Sequence, residues 1–380
     1  MKSRVYYIGF YNHKRLEKEQ RFDFPAATSK MEYVINLLDR LMIKTKVINP
    51  SWTKGNKFIK GTHNKLTNNI SLKSFFSLPW TNKLYKSLSS RINKIQLFNY
   101  IMFNVKKDDI VILYHSIFYS KLFILLRKLK KFTLILEVEE VYQDINQLSK
   151  REIKNENKIF LVSDKFIYST ELMKDTINNK KNNMTISGNY LIKNRYNERF
   201  NDKNKHIVYA GIIDRQKKGA FEIFNIAKYF SENYIFHILG FGNEEDINQL
   251  KERIIKFNKE NNAQIEYNGL LYNEDLNKFL QKCDIGLSCQ TPVGKYNNSS
   301  FPSKIINYLT NGIEVITIDL QVIRKSKIRH IVSYYQENNY SEIYTIAKKI
   351  NKNTKKILNE LRIIDKNNLE EFDILLRSCK

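Results

Sequence analysis

A serine and a lysine at the start of a predicted helix carry the clearest anion-binding signal in this sequence. Ser303 supplies a hydroxyl and Lys304 a full positive charge, and the first turn of a helix leaves several backbone N–H groups without partners. Amide, hydroxyl and ammonium groups at one helix start can cradle a diphosphate. Asn307 lies three residues further on, on the same helix face, from which its amide can reach a ribose.

The neighbouring residues predict the helix itself. Ser299 or Ser300 in the segment NNSSFPSKIINYLTNGIEVITI can cap a helix. Pro302 suits the first turn, and Gly312 suits the C-terminal end. We therefore expect a helix over 302–310 and include Ser300 and Pro302 in the binding loop. A capped helix that binds no ligand is the alternative interpretation.

A second basic loop, in VYAGIIDRQKKG, follows a predicted strand. Gly211 permits close approach of a ligand, and the cations Arg215 and Lys218 can balance a pyrophosphate. Ligands of open α/β sheets sit beyond the carboxyl ends of strands, which is where this loop falls. Gly240 lies in a similar loop, LGFGNEED, which lacks the third glycine of the dinucleotide fingerprint. For the basic loop, a solvated turn is the alternative.

Polar residues also follow two strands in the first half of the chain. His115 comes directly after DIVILY, and Glu137, Glu139 and Glu140 lie in ILEVEEVY. Carboxylates there can bind acceptor hydroxyls or act as a base. We assign catalytic positions to His115 and Glu140 and acceptor binding to Glu137 and Glu139. A buried histidine and a solvated acidic loop are the alternatives.

The elements that must hold these residues alternate between short apolar strands and amphipathic helices. We expect strands at 5–10, 109–114, 132–136, 165–168, 184–187, 206–210, 234–239, 264–267, 284–288 and 314–318. We expect helices at 25–42, 118–130, 220–230, 244–258, 274–281 and 302–310, and two more within 341–378. This alternation predicts doubly wound α/β domains with parallel sheets.

The length of 380 residues suggests two domains. We expect a first α/β domain over 1–190, with a strand-poor insertion at 50–100, and a polar linker over 191–205. A second α/β domain then covers 206–345, and helices at 346–380 close the molecule.

Composition excludes several classes of protein. Hydrophobic residues make up 42% of the chain, which excludes a wholly disordered protein. Three cysteines are too few for a disulfide framework, and their spacing is not that of a zinc site. We find no spanning segment and no signal-peptide pattern, so we expect a cytoplasmic protein that needs no metal or other cofactor.

The net charge of +25 invites an anionic partner. Lys, Asn and Ile are frequent throughout, so about half of the charge signal reflects composition rather than a dedicated surface. Nucleic acid is disfavoured, because no long basic block or nucleic-acid motif is present. An anionic membrane surface remains, and aromatic residues beside lysines in 50–100 suit an interface.

These segments together resemble a known family. VYAG…KKG followed by SFPSKIINYLTNGIEVIT is similar to the donor half of GT-B glycosyltransferases. The closer resemblance is to the retaining family-4 enzymes of bacterial surface polysaccharides, including galactofuranosyltransferases. YNGLLYNEDLNKFLQKCDIGLSCQ, AATSKMEYVINLL and LEVEEVY fit the same group. The resemblance implies two Rossmann-like domains facing a cleft and covers most of the chain outside 50–100.

The resemblance also implies roles for individual residues. Lys218 matches the lysine that contacts the donor diphosphate, and Ser303 and Lys304 match the phosphate-facing helix start. Asn307 stands where the family usually has a glutamate on the donor ribose, and the other usual glutamate falls near Ser299 or Ser300. The donor site therefore lacks its usual carboxylates.

The function implied is transfer of a sugar from a nucleotide-sugar, expected to be a UDP-sugar, to a saccharide acceptor. The resemblance further implies retention of configuration, a lipid-linked acceptor in surface-polysaccharide biosynthesis and attachment at the inner membrane face. A non-catalytic nucleotide- or polysaccharide-binding homologue is the main alternative because of the missing carboxylates. A nucleic-acid-binding protein is the remote one.

Overall fold

The computed structural model describes residues 4–22, 24–144, 147–177, 180–196, 198–216, 219–289 and 300–378, the side chains at 15 and 17 excepted. The chain divides into two compact units. Unit 1 contains residues 1–189 and 367–380, and unit 2 contains residues 190–366.

Unit 1 is built on an eight-stranded sheet in the order β3-β4-β2-β1-β5-β6-β7-β8. Its strands are β1 (Val5–Ile8), β2 (Thr45–Asn49), β3 (Thr62–Lys65), β4 (Ile70–Ser74), β5 (Ile110–Tyr114), β6 (Thr133–Val138), β7 (Lys165–Tyr168) and β8 (Asn183–Thr185). All neighbours pair in parallel except β3 and β4, which are antiparallel. The carboxyl ends of β1, β5 and β6 therefore meet at one edge.

Helices cover this sheet as parallel crossovers require. They are α1 (Pro25–Arg40), α2 (Lys83–Asn104), α3 (Ile117–Leu129), α4 (Lys150–Val162) and α5 (Met173–Ile177), with short 3-10 turns at Lys14–Glu19 and Tyr142–Asp144. Buried side chains of α2, α3 and α4 share one hydrophobic core with alternate residues of the central strands. The α4 helix begins at a capping box in which Ser149 and Glu152 exchange hydrogen bonds.

Unit 2 has a six-stranded, all-parallel sheet in the order β11-β10-β9-β12-β13-β14. Its strands are β9 (Lys205–Ala210), β10 (Tyr234–Leu239), β11 (Gln264–Tyr267), β12 (Ile285–Ser288), β13 (Glu314–Ile318) and β14 (Ser333–Tyr335). Its helices are α6 (Gly219–Ala227), α7 (Glu244–Glu260), α8 (Asn273–Lys282), α9 (Lys304–Thr310), α10 (Gln321–Arg324) and α11 (Tyr340–Lys349). The strand order reverses between β9 and β12, so a ligand crevice is expected beyond their carboxyl ends.

A last helix, α12 (Thr354–Arg377), begins in unit 2 and ends in unit 1. Within unit 1, its Asn368 side chain donates to Tyr33 Oη at 3.0 Å, and Lys165 Nζ donates to the Leu375 carbonyl at 2.8 Å. Phe372 is fully buried. The end of α12 is therefore part of the unit 1 core.

The structure differs from the expected organisation in residues 50–100. They are partly helical, but they are not strand-poor, because β3 and β4 lie there and extend the sheet beyond β2. The expected linker begins next to the boundary between the two units, and its described residues before β9 form no helix or strand. Within unit 2, Lys193 N–H donates to the Thr310 carbonyl, and Arg195 donates to the Asn311 carbonyl at 2.7 Å.

Both units are α/β layers with parallel sheets, as the alternation of strands and helices predicts. None of the helices in the described ranges is long and apolar enough to cross a membrane.

Candidate functional site

Two glycines shape the carboxyl edge of the unit 2 sheet. Gly211 follows β9, and its N–H donates to the Leu239 carbonyl at 2.9 Å. Gly240 follows β10 with φ of +149°, and a Cβ there would lie 1.8 Å from the Gly211 carbonyl oxygen. The two loops thus touch backbone to backbone, and the lack of a side chain on Gly211 leaves room for Lys304 and Tyr209 beside it.

Lys304 lies directly against Gly211. A Cβ on Gly211 would be 3.1 Å from Lys304 Nζ and 2.9 Å from Tyr209 Oη. The ammonium sits 4.1 Å from the centroid of the Tyr209 ring, a cation–π contact that fixes its position. Burial lowers the pKa of Lys304 to about 8. At neutral pH the side chain is still charged, and its charge is poorly solvated.

Within the described part of the chain, no carboxylate lies within ion-pair distance of Lys304. The nearby ionisable group is the thiol of Cys289, whose pKa burial raises to about 12. A poorly solvated cation beside bare backbone favours binding of an anion such as a phosphate.

The α9 helix begins two residues later than predicted, so Pro302 precedes it and Ser303 is its N-cap. The Ser303 residue is exposed, and among the described residues its hydroxyl makes no capping hydrogen bond. The side chain is therefore accessible to a ligand. Ser300, the first described residue of this loop, is partly exposed.

Asn307 is partly exposed on the first turn of α9. Its amide oxygen accepts from Asn311 Nδ2 at 3.4 Å, and the Asn311 side chain is held in turn by Gln281. The Asn307 amide oxygen therefore takes part in a network of side-chain amides with Asn311 and Gln281. The predicted contact with a ribose would then use the Asn307 amide nitrogen.

Arg215 of the basic loop differs from the expectation. Arg215 donates to Glu245 Oε1 at 2.6 Å and also to Asp246, so two carboxylates already balance its charge. The interaction with both acids raises the pKa of Arg215. Lys218, the predicted diphosphate contact, lies outside the described residues.

A cavity of about 580 Å³ opens in unit 2 near the ends of β12, β13 and β14. Its lining includes Arg215, Glu222, Cys289 and Tyr335. The volume lies within the range of small-molecule sites. Cys289 Sγ donates to the Gly219 carbonyl at 3.5 Å, and a Cβ on Gly219 would lie 2.2 Å from Tyr209 Oη. The cavity therefore lies close to the Tyr209 ring that contacts Lys304.

Unit 1 carries a polar cluster at its own carboxyl edge. Glu137 is fully buried and accepts from the Tyr7 hydroxyl, and burial raises its pKa to about 7. Glu139 pairs with Lys30 Nζ at 2.6 Å, and Lys30 also donates to the Ile186 carbonyl. Glu137 therefore has no surface for an acceptor, whereas Glu139 is partly exposed and held in place.

His115 is buried, which agrees with the alternative of a buried histidine rather than with the predicted catalytic position. Its Nδ1 lies 3.3 Å from the Glu140 carbonyl oxygen, and its Nε2 lies 3.7 Å from Glu156 Oε1. Burial lowers the pKa of His115 to about 4, so the ring is neutral at pH 7. The ring thus supports the backbone at Glu140, a partly exposed residue that comes directly after Glu139.

Two residues that the sequence reasoning missed support these sites. Tyr209 carries the Lys304 ammonium, and Lys30 holds Glu139. Lys30 lies beside Met31 among the buried residues of α1. A lysine at such a position indicates a buried acidic partner, and this was the sequence signal for its role. Tyr209 looks in sequence like an ordinary buried strand residue.

Among the described residues, no group of three or more His, Cys, Asp or Glu side chains is placed to hold a metal ion.

The comparisons with known proteins concern the fold. No protein-family model matches the chain, and a search of curated proteins finds no match.

Several solved structures are similar over nearly the whole chain. One is trehalose-6-phosphate from E. coli bound with UDP-2-fluoro glucose, with a TM-score of 0.68, 10% identity and 99% of both chains covered. Another is the lipopolysaccharide outer core galactosyltransferase WaaB, with a TM-score of 0.62, 14% identity and 99% of both chains covered. A trehalose-6-phosphate synthase studied for glycosyltransfer with retention matches at 0.63, with 10% identity and 99% of both chains.

At these identities the likeness establishes the fold. The chain has the GT-B fold of these glycosyltransferases, with two parallel-sheet α/β units, as the sequence predicts. The closer resemblance to retaining family-4 enzymes stays a prediction.

Proposed function

We propose that the chain is a glycosyltransferase that moves a sugar from a UDP-sugar to a saccharide acceptor. The observation that carries the proposal is Lys304, a poorly solvated ammonium set against the bare backbone of Gly211. The fold supports it, because structures with the same fold include one bound with UDP-2-fluoro glucose and a galactosyltransferase.

On the donor side, Lys304 binds the diphosphate and stabilises the charge that develops on the leaving UDP. The Tyr209 ring keeps the ammonium in position, so little reorganisation accompanies the reaction. Ser303 donates its hydroxyl to a phosphate oxygen. The cavity beside Cys289 accommodates part of the nucleotide-sugar, and Asn307 meets the ribose through its amide nitrogen.

On the acceptor side, Glu139 and Glu140 bind sugar hydroxyls. Lys30 holds the Glu139 carboxylate in place, and His115 supports the backbone at Glu140. We propose a lipid-linked saccharide of surface-polysaccharide biosynthesis as the acceptor. The enzyme then works in the cytoplasm, attached peripherally to the inner face of the membrane. The high positive charge of the chain supports this location.

The reaction needs no metal in this proposal, because Lys304 supplies the cation at the diphosphate. Turnover is expected to be unchanged by EDTA. Retention of configuration is proposed on the resemblance to retaining enzymes, and it predicts that an α-linked UDP-sugar gives an α-linked product by NMR.

The test is thermal unfolding with UDP, GDP, ADP, CMP and dTDP. A nucleotide at 100 times its Kd stabilises the folded protein by about 2.7 kcal/mol, which raises Tm by roughly 5–10 °C for a unit of this size. We expect UDP alone to do so. Lys304→Met should weaken UDP binding about 10- to 100-fold through loss of a charge-assisted contact.

Lys228→Met is the matched control, because Lys228 is an exposed lysine of the same unit. It should bind UDP like the wild type. If no nucleotide stabilises the protein, or if Lys304→Met binds UDP as well as Lys228→Met does, the donor site is elsewhere.

A non-catalytic nucleotide-binding protein is the second candidate. Asn307 stands where the resembled family usually has a glutamate, the other usual glutamate falls near Ser299 or Ser300, and this observation favours the second candidate. UDP binding without turnover of any UDP-sugar, including slow hydrolysis, would support this candidate over the enzyme.

A further inference from the structure

A groove of about 440 Å³ lies on the outer side of the helix layer of unit 1. We call it the lysine groove. It is lined by Lys94, Phe118, Lys121, Leu122, Ile124, Leu125, Lys128, Asn155 and Lys158. These residues belong to α2, α3 and α4, whose inner faces pack on the sheet. The groove therefore opens on these helices, with Ile124 of the core in its lining, and it lies outside the sites described above.

The lysine groove concentrates positive charge, although α4 also carries Glu152 and Glu156, and Arg127 of α3 pairs with Asp164. Four of its lining residues are lysines, and none of the described lining residues is acidic. The whole of α2 and α3 carries seven basic residues and no acidic one. Lys94 sits 3.7 Å from the Phe118 ring centroid, and burial together with repulsion from Lys121 lowers its pKa. Such a site favours an anion.

The same helices also expose large aliphatic side chains. Leu125 in the groove is 45% exposed, Leu129 of α3 is 55% exposed, and Leu161 of α4 is 74% exposed. Aliphatic side chains beside lysines match a surface that offers phosphates and hydrocarbon together. A nucleic-acid backbone gives these leucines no partner, since it is recognised through charge and through stacking on aromatic or arginine side chains.

We propose that the lysine groove binds the headgroups of anionic phospholipids and is the surface by which the protein attaches to a membrane. The lysines contact lipid phosphates, and the exposed leucines enter the interface. The inference names the surface behind the peripheral membrane location given in the proposed function. It rests on that proposed function, because a lipid-linked acceptor is the reason for the protein to reach a membrane. It does not involve Lys304 or UDP.

The test is flotation of the full chain with vesicles of phosphatidylcholine alone or with 30% phosphatidylglycerol. Wild type should float with the anionic vesicles only, and less so as salt rises. Each lysine near an anionic membrane surface raises the partition coefficient of the protein onto that membrane about fivefold. Lys121→Gln with Lys128→Gln should therefore weaken partitioning by about 25-fold. Both side chains are exposed, so folding is retained.

The matched control is Lys355→Gln with Lys356→Gln, two exposed lysines of α12 with the same change in net charge. It should partition within about twofold of wild type. The proposal is overturned if wild type floats equally with both vesicles, or if the two double variants partition alike. It is also overturned if phosphate releases the protein better than chloride at equal ionic strength, because the groove then holds free phosphate.

A single-stranded oligonucleotide is the last probe. If the groove variant loses oligonucleotide binding and keeps vesicle binding, the surface binds nucleic acid and the proposal fails. The UDP-induced rise in Tm is measured on the same variants. If the groove variant loses vesicle binding and keeps the UDP-induced rise in Tm, the result supports the membrane proposal. If the wild type shows no rise in Tm, the result counts against the donor site and leaves the membrane proposal unaffected.

Discussion

The ammonium of Lys304 makes donor binding depend on pH. Since its pKa is about 8, the charged form dominates at pH 7 and falls to about a tenth at pH 9. UDP binds the charged form, so its Kd should rise about tenfold between these two pH values. Titration calorimetry across pH 6.5–9.5 measures this change. Lys304→Met should give a flat profile over the same range, and a wild-type profile that is equally flat would contradict the assignment.

Glu137 should make the protein less stable as pH rises. A carboxylate in a surface ion pair has the opposite effect. Its pKa is raised from 4.5 to about 7 by burial, because Lys30 and Tyr7 only partly offset the loss of solvation. The folded state therefore binds a proton that the unfolded state releases. This stability is present below about pH 4.5 and is lost as pH rises through 7.

Glu137→Gln mimics the protonated side chain and removes this dependence. We expect the variant to gain on the order of 1–3 kcal/mol over wild type at pH 8.5, with little difference at pH 5. Urea unfolding at the two pH values measures the difference. A variant that is less stable than wild type at pH 8.5 would mean that the charged form is the one the fold needs.

At the scale of elements, the contact between the ends of β9 and β10 requires Gly240. Its φ of +149° is rare for residues with a side chain, and the nearest obstacle is the Gly211 carbonyl oxygen rather than a mobile side chain. Gly240→Ala should cost more than about 3 kcal/mol of unfolding free energy. Denaturant unfolding gives the number.

Gly269→Ala is the matched control for backbone strain. Gly269 also has a positive φ, of +74°, but nothing lies within 4 Å of a Cβ placed there. It should cost about 1 kcal/mol. Equal losses in the two variants would show that φ alone, and not the contact between loops, demands glycine at 240.

Regular periodicity made most elements predictable. The bounds predicted for β7, β10, β11 and β13 match the structure, because each is either a short apolar run or, as in β11, an alternation of polar and apolar residues. The β3 strand, Thr62–Lys65, was missed since its sequence THNK is polar. It exists through hydrogen bonds to β4, and β4 alternates Ile70 and Leu72 with polar residues, which was a usable signal.

The candidate site was less predictable than the fold. Proximity of Lys304 to Gly211 follows from strand order, which places β9 beside β12, and local patterns do not reveal that order. The pairing of Arg215 with Glu245 and Asp246 joins two separate loops and was equally hidden. Burial of Glu137 could have been inferred, since it continues the apolar run of β6.

At the scale of the whole molecule, α12 contributes to unit 1 from far along the sequence. Phe372 is fully buried there, so Phe372→Ala should destabilise unit 1 by about 3–5 kcal/mol. Hydrogen exchange should show faster exchange in β5 and β6 and unchanged exchange in β9 and β10. Ile374→Ala, at an exposed position of the same helix, is the control and should leave both sheets unchanged.

The division of α12 also sets the order in which the molecule can be completed on the ribosome. Residues 367–378 are translated after all of unit 2, yet the unit 1 core needs them. Unit 2 has its full complement of strands before that moment. The half of the protein that is synthesised first is therefore finished last, and the nascent β1–β8 sheet must wait for the final helical turns to cover it.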